Sequence, residues 1–168
     1  FLNTEPSKIR LAPNERPVFI FIGPGAATSL SHEVFTQVDK PNKPIIIQID
    51  MCPNLLAWTK AEFSIAKSNN YQQCKQYYSN PQTHPDTQNY VGSISNSISE
   101  ANEEETASLR SLHYLESSER FSECQKTLRT SDFHQFETNI MDPNGYKELA
   151  ALLTATNGKV VGLNVTNV

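Results

Sequence analysis

The sequence predicts an α/β domain in which a mainly parallel sheet carries helices on both faces. Two short apolar runs, residues 18–22 and 45–49, have the β-branched and aromatic content of strands that are buried on both sides. A segment with apolar residues at helical spacing follows each run. Because strands and helices alternate along the chain, their connections favour parallel pairing in a three-layer arrangement.

The first apolar run ends in a turn that contains two glycines. The residues of this turn are Gly23, Pro24, Gly25, Ala26 and Ala27. Thr28 or Ser29 is then predicted to cap a helix over residues 30–38. A strand, a glycine turn and a helix N-terminus in this order are typical of a nucleotide-binding turn, although many α/β proteins carry such a glycine for steric reasons alone.

The second apolar run ends at Asp50. A carboxylate at the end of the second strand of a nucleotide-binding fold accepts hydrogen bonds from a ribose diol. Asp50 can also cap the next helix, which Pro53 at the first turn favours, and the two roles are compatible. The helix is predicted to run to residue 67, with Trp58 in the core rather than on a ligand wall.

The later part of the chain is expected to add two more strands after an insertion. Residues 79–102 predict a mobile loop, and the acidic residues 103–105 predict the start of a helix. Residues 116–121 are predicted to start another helix or to kink the same one, with Phe121, Cys124 and Leu128 on one apolar stripe and Ser117 or Ser118 as cap. The remaining predicted elements are a third strand over 136–141, a helix over 146–153 and a fourth strand over 159–168. We therefore expect one domain over 1–168, divided into 16–69, an insertion or lid at 70–113, and 114–168.

The polar residues at the predicted strand ends indicate where a ligand would bind. They are Gly23, Gly25, Asp50, Asp142 and Asn164. Parallel strands bring their carboxyl ends to one edge of a sheet, and ligands of open α/β sheets bind beyond that edge. The sequence thus predicts a ligand site built from four separate strands.

Composition narrows the classes of function. The 168 residues include 14 Lys and Arg against 18 Asp and Glu, so the formal charge of −4 argues against general binding of nucleic acid. No apolar run is long enough to span a bilayer. The three cysteines form no CxxC pair and the histidines show no metal-ligand spacing. These features favour a reduced compartment, such as the cytoplasm, and no metal site.

In the order of these motifs the chain resembles the class I S-adenosylmethionine-dependent methyltransferases, which have a Rossmann-like fold. The resemblance covers residues 16–67 and 114–168. The turn from Ile22 to Ala27 is similar to the glycine motif of the family, and Ile49-Asp50-Met51 is similar to its second motif. Residues 139–142 are similar to its third motif, and residues 160–167 to its fourth strand.

The resemblance implies S-adenosylmethionine as cofactor and a role for each matching residue. Gly23, Pro24, Gly25 and Ala27 would admit the methionine end of the cofactor. The other implied contacts are Asp50 with ribose, Met51 with the adenine face, Asp142 with the adenine amino group and Asn164 with the reaction end. The sequence identifies neither a catalytic base nor the methyl acceptor.

Several features depart from the family pattern and leave alternatives open. Phe21 stands where the family has an acidic residue, Ala27 stands for the third glycine, and the insertion is long. A non-catalytic interaction module on the same scaffold is the second hypothesis, and a nicotinamide-dependent reductase is the third. The family continues with further strands after the fourth, so we expect either that the chain is a fragment or that a partner chain, a second copy or the N-terminal arm covers the exposed edge of the fourth strand.

Overall fold

The fold was analysed in a computed structural model, which describes residues 8–23, 27–39, 41–79, 114–139 and 141–165. Its four strands form one all-parallel sheet in the order β3-β2-β1-β4. The strands are β1 (Arg16–Ile22), β2 (Ile45–Asp50), β3 (Asp132–Glu137) and β4 (Gly158–Val165). The predicted Rossmann-like α/β class, with a parallel sheet between helices, is confirmed.

Five described helices connect and cover the strands. They are α1 (Ala27–Thr36), α2 (Pro53–Ser68), α3 (Tyr71–Ser79), α4 (Ser118–Thr130) and α5 (Pro143–Thr156). Helices α1 to α4 pack in a cluster on the face of the sheet that carries Phe19 and Phe21. Helix α5 packs on the opposite face, which carries Val18 and Ile20. Among the described residues the layers are therefore helices, sheet and one helix.

Strand pairing explains why the two apolar runs are continuous. Val18 pairs with Ile45 and Ile22 pairs with Ile49 in the two central strands. Residues 18–21 and 45–49 are all buried because helices cover both faces there. The alternation of large side chains between the two cores is the pattern of a strand inside a three-layer sandwich.

The third strand lies earlier in the chain than residues 136–141, so that prediction is wrong. Strand β3 pairs with β2 from Asp132 to Glu137. Phe133 packs against Phe63 in the larger core, with 4.4 Å between the centroids of the two tilted rings, and Phe136 packs on the face of α5. Because aromatic burial and pairing with β2 fix the register, the strand ends well before Asp142.

The start of α1 also differs from the prediction. The helix begins at Ala27, so Thr28 and Ser29 lie in its first turn and are buried rather than capping it. The predicted stripe on α4, by contrast, is buried at Phe121, Cys124 and Leu128. Ser117 caps this helix through a hydrogen bond from the Arg120 backbone N–H.

The amino edge of the sheet is closed by an ion cluster. Arg16 at the start of β1 donates to Asp132 at the start of β3, with 2.5 Å between Nη2 and Oδ2. Lys43 Nζ lies 3.0 Å from the other oxygen of the same carboxylate, and the backbone carbonyl of Lys43 accepts a hydrogen bond from Arg16 Nε. The cluster joins the first strand to the third across β2.

Two predictions concern residues near or beyond the described ranges. The predicted loop at 79–102 and the helix start at 103–105 lie, apart from Ser79 at the end of α3, outside the described residues. Of the N-terminal arm, Ile9 pairs with Val38 after α1 and does not lie along β4. Among the described residues no helix has the length and hydropathy of a membrane span.

Candidate ligand site

The carboxyl edge of the sheet contains the point where the strand order reverses. The chain moves from β1 to β2 and β3 on one side, and β4 adds on the other side of β1. Helix α1 leaves β1 on one face of the sheet, while α5 enters β4 from the opposite face. Such a switch point opens a crevice beyond the strand ends, where ligands of this fold class bind.

Gly23 lies at this edge directly after β1. Its φ of 84° is a left-handed conformation that side-chain-bearing residues rarely adopt. Its N–H donates to the Ile49 carbonyl, which ties the turn to the end of β2. Pro24 and Gly25 lie outside the described residues, and Ala27 is the first residue of α1.

Asp50 ends β2 next to Gly23. Its Oδ1 accepts a hydrogen bond from the Cys52 backbone N–H at 2.8 Å, just before Pro53 opens α2. Cys52 is the N-cap residue of α2 and the helix has no side-chain capping bond, so Asp50 supports the turn before α2 but does not cap the helix as predicted. Oδ2 has no hydrogen-bond partner among the described residues, so this oxygen can receive a hydroxyl of a ligand. Met51 follows with 64% of its surface exposed.

The residue at the carboxyl end of β3 is Glu137, and not Asp142 as the sequence predicted. Glu137 pairs with Asp50 across the sheet, and the Thr138 N–H donates to the Asp50 carbonyl. Sequence reasoning missed exposed Glu137 because it placed the strand too late. The charged residue directly after the phenylalanines of β3 was the available signal.

Asp142 lies at the N-cap of α5. Its Oδ1 accepts from the Asn144 N–H at 2.9 Å. A Cβ on Gly145 would meet the Thr138 hydroxyl oxygen at 2.6 Å, so the first turn of α5 packs closely on the chain leaving β3. Asp142 thus belongs to the same edge of the sheet, but it arrives through a helix cap and not through a strand end.

Asn164 completes the edge on the far side of β1. It pairs with Phe21 one residue before the end of β4 and is partly buried. The structure therefore brings Gly23, Asp50, Asp142 and Asn164 to one edge, as the parallel sheet predicts.

A buried polar network lies directly under Gly23. The Gln48 side chain is fully buried and its Nε2 donates to Thr59 Oγ1 at 2.9 Å and to the Gly23 carbonyl at 3.4 Å. Gln135 Nε2 donates to Gln48 Oε1 and to the Leu56 carbonyl, both at 2.7 Å. The network satisfies both ends of the buried amide, as burial of a polar group requires.

A buried carboxyl lies under the first turn of α1. Glu62 on α2 is 3% exposed, and Thr28 Oγ1 donates to its Oε1 at 3.3 Å. Burial raises the pKa of Glu62 to about 8, and the hydrogen bond from Thr28 opposes this shift. The side chain is therefore largely neutral at pH 7. Among the described residues the buried Ser29 hydroxyl, next in the chain to Thr28, has no hydrogen-bond partner.

A groove of about 1190 Å³ lies at the amino edge of the sheet, between the ends of α1 and α4. Its cations include Lys43, which pairs with Asp132, and Arg129, whose Nε donates to the Lys67 carbonyl. Both of these cations are therefore already engaged by groups of the protein. The groove lies away from every predicted site residue.

The reductase hypothesis requires a Tyr-x-x-x-Lys pair, and the chain has this spacing at Tyr71 and Lys75 on α3. The Tyr71 hydroxyl donates to the Leu115 carbonyl at 3.1 Å, and Lys75 Nζ lies 5.3 Å from the centre of the Tyr71 ring. Helix α3 follows the end of α2 that is remote from Asp50. The pair is thus used in packing and does not reach the carboxyl edge.

Comparisons with protein-family models, curated proteins and solved structures gave no match. Within the described ranges no group of three or more His, Cys, Asp or Glu side chains could hold a metal ion. The fold class and the carboxyl edge therefore carry the functional argument.

Proposed function

We propose that this chain binds S-adenosylmethionine at the carboxyl edge and transfers its methyl group to an acceptor. The observation that carries the proposal is Asp50, which ends β2 beside the left-handed Gly23 and whose Oδ2 has no hydrogen-bond partner among the described residues. A carboxylate at this position suits a ribose diol, since it accepts two hydroxyl donors. Exposed Met51 offers an apolar surface for a purine ring.

The other residues of the edge would orient the same ligand. Gly23, which is followed in the sequence by Pro24, Gly25 and Ala27, would admit the methionine end of the cofactor near the first turn of α1. Asn164, which pairs with Phe21 near the end of β1, would offer its side-chain amide to the same part of the cofactor. Asp142 would receive the adenine amino group, and Glu137, which pairs with Asp50 at the end of β3, offers a second carboxylate.

The bound cofactor would supply an electrophilic sulfonium methyl group. Displacement at that carbon requires no protein nucleophile, so the contribution of this chain is to position the reactants and exclude water. The described residues of the edge do not identify a base for the acceptor.

Calorimetric titration with S-adenosylhomocysteine tests the cofactor site. The Asp50→Ala variant is expected to lose about tenfold or more in affinity, because a hydrogen-bonded carboxylate contributes roughly 1.5–3 kcal/mol. Asp39→Ala, which removes an exposed carboxylate of the amino-edge groove, is the matched control and should bind as the wild type does. Absence of heat with folded wild-type protein would remove the proposal.

A non-catalytic interaction module is the second candidate. Its supporting observation is that Asp50 already holds the turn before α2 and Asp142 already caps α5, so both carboxylates have a structural use without a ligand. This function predicts a folded wild type that binds neither S-adenosylmethionine nor S-adenosylhomocysteine.

The partner that we propose is a second copy of the chain at the edge formed by β4. Val160, Leu163 and Val165 are exposed by 43%, 61% and 48%. The opposite edge strand, β3, begins with Asp132 and ends with Glu137, which discourages strand addition. Two β4 edges can pair antiparallel about a two-fold axis, which closes the assembly.

The compartment that we propose is the cytoplasm. Cys52, Cys74 and Cys124 are all free thiols, and two of them are buried. Burial raises the pKa of Cys74 and of Cys124 to about 11, which keeps both thiols protonated. Free cysteines are typical of a reducing environment.

A further inference from the structure

We propose that Thr59 and Glu62 of α2 are positioning residues that hold the two ends of the glycine turn, Gly23 and Thr28. Thr59 acts on Gly23 through Gln48, and Glu62 contacts Thr28 directly. The ligand-binding part of this inference rests on the proposed function, whereas the local order of the turn can be measured without a ligand.

The spacing on α2 makes this arrangement possible. Thr59 and Glu62 are three residues apart, so they lie on the same side of the helix about one turn from each other. Both are buried against the sheet and α1, at 0% and 3% exposure. Polar side chains at such positions cost stability unless they make specific hydrogen bonds.

Each hydrogen bond reaches one side of the turn. Gln48 Nε2 donates to the Gly23 carbonyl at 3.4 Å while Thr59 Oγ1, itself donating to Leu55, holds the amide at 2.9 Å. On the other side Thr28 Oγ1 donates to Glu62 Oε1 at 3.3 Å. Helix α2 therefore holds the chain immediately before and shortly after residues 24–27.

The same helix starts beside Asp50. The Cys52 N–H donates to Asp50 Oδ1, and Pro53 opens α2. One rigid element thus connects the carboxylate proposed for the ribose with both ends of the turn proposed for the methionine end. A shift of α2 would move these two parts of the site together.

Amide hydrogen exchange and calorimetry with S-adenosylhomocysteine test the inference on the full chain. Thr28→Val keeps the shape and removes the donor to Glu62, so amides at 23 and 27–31 should exchange about tenfold faster, with α4 unchanged. Affinity should fall by about tenfold in the same variant. Glu62→Gln retains an acceptor for Thr28, so it should bind with an affinity close to wild type and should not accelerate exchange at 23 or 27–31.

Thr127→Val is the matched control. It removes a Thr hydroxyl that bonds His32 at 2.9 Å between α4 and α1, but near the amino edge. This variant should leave exchange at 23 and 27–31 unchanged. Thr59→Val tests the Gly23 side independently and remains informative if Thr28→Val does not fold.

The inference would be overturned if the amides at 23 and 27–31 exchanged at the wild-type rate in both Thr28→Val and Thr59→Val. Acceleration of exchange spread evenly over all helices would also overturn it, because it would indicate a general stabilising role. If the wild type does not bind S-adenosylhomocysteine but the local exchange pattern is found, the cofactor proposal fails and the positioning role stands.

Discussion

Replacement of Glu62 by Gln should change the pH dependence of stability in a defined direction. The pKa of Glu62 is raised from 4.5 to about 8 in the folded chain, chiefly by burial. Between these values the unfolded chain has lost the proton that the folded chain still holds. The free energy of unfolding of the wild type should therefore fall as pH rises from about 4.5 to about 8, and then level off.

The size of this effect follows from the shift. Each pKa unit corresponds to about 1.4 kcal/mol, so the full loss across the window is about 5 kcal/mol. A glutamine side chain at this position has no proton to lose, so the Glu62→Gln variant should not show this loss. Relative to wild type, the variant should gain stability steadily between pH 5 and pH 8.

Urea unfolding at pH 5, 6, 7 and 8 measures the difference. Glu148→Gln on the exposed side of α5 is the control, and its stability should follow that of wild type across the series. Parallel curves for wild type and Glu62→Gln would refute the reasoning, since they would mean that Glu62 titrates alike in the folded and unfolded chains.

Three further predictions concern other parts of the molecule. Gly23→Ala should lower the free energy of unfolding by about 1–2 kcal/mol in urea titrations, because its φ of 84° is left-handed; no loss would contradict that conformation. Asp132→Asn should destabilise the chain at pH 7. The Arg16 hydrogen bond lowers the pKa of Asp132, so the difference in unfolding free energy between wild type and Asp132→Asn should vanish as pH falls through that lowered pKa. A difference that does not change with pH in acid titrations would contradict the ion cluster. Leu163→Lys should reduce self-association in sedimentation experiments, and an unchanged dimer would exclude the β4 edge.

The two central strands could be predicted because their physical signal is local. Residues 18–21 and 45–49 are apolar without a break, apart from Gln48, and helices on both faces bury them. Their parallel pairing followed from the helix between them. Strand β3 lacks such a run, since only Phe133 and Phe136 are large and apolar, and its register depends on pairing with β2.

The polar interior of the site could not be predicted from the sequence. Gln48 interrupts an apolar strand, and only the position of Gln135 on β3 and of Thr59 on α2 shows why it is tolerated. Glu62 occupies a helical position that is equally typical of a solvent-facing carboxylate. Its burial depends on how α1 meets α2, which no local pattern in either helix specifies.

The long separation between β2 and β3 has a consequence for the order of folding. Bringing β1 to β2 closes a loop of about twenty residues, whereas bringing β2 to β3 closes one of about eighty, at an additional entropic cost of roughly 1 kcal/mol. The β1-α1-β2 unit is therefore expected to assemble first. Strand β3 would join afterwards, when the Arg16–Asp132 ion pair locks its starting end onto an existing template.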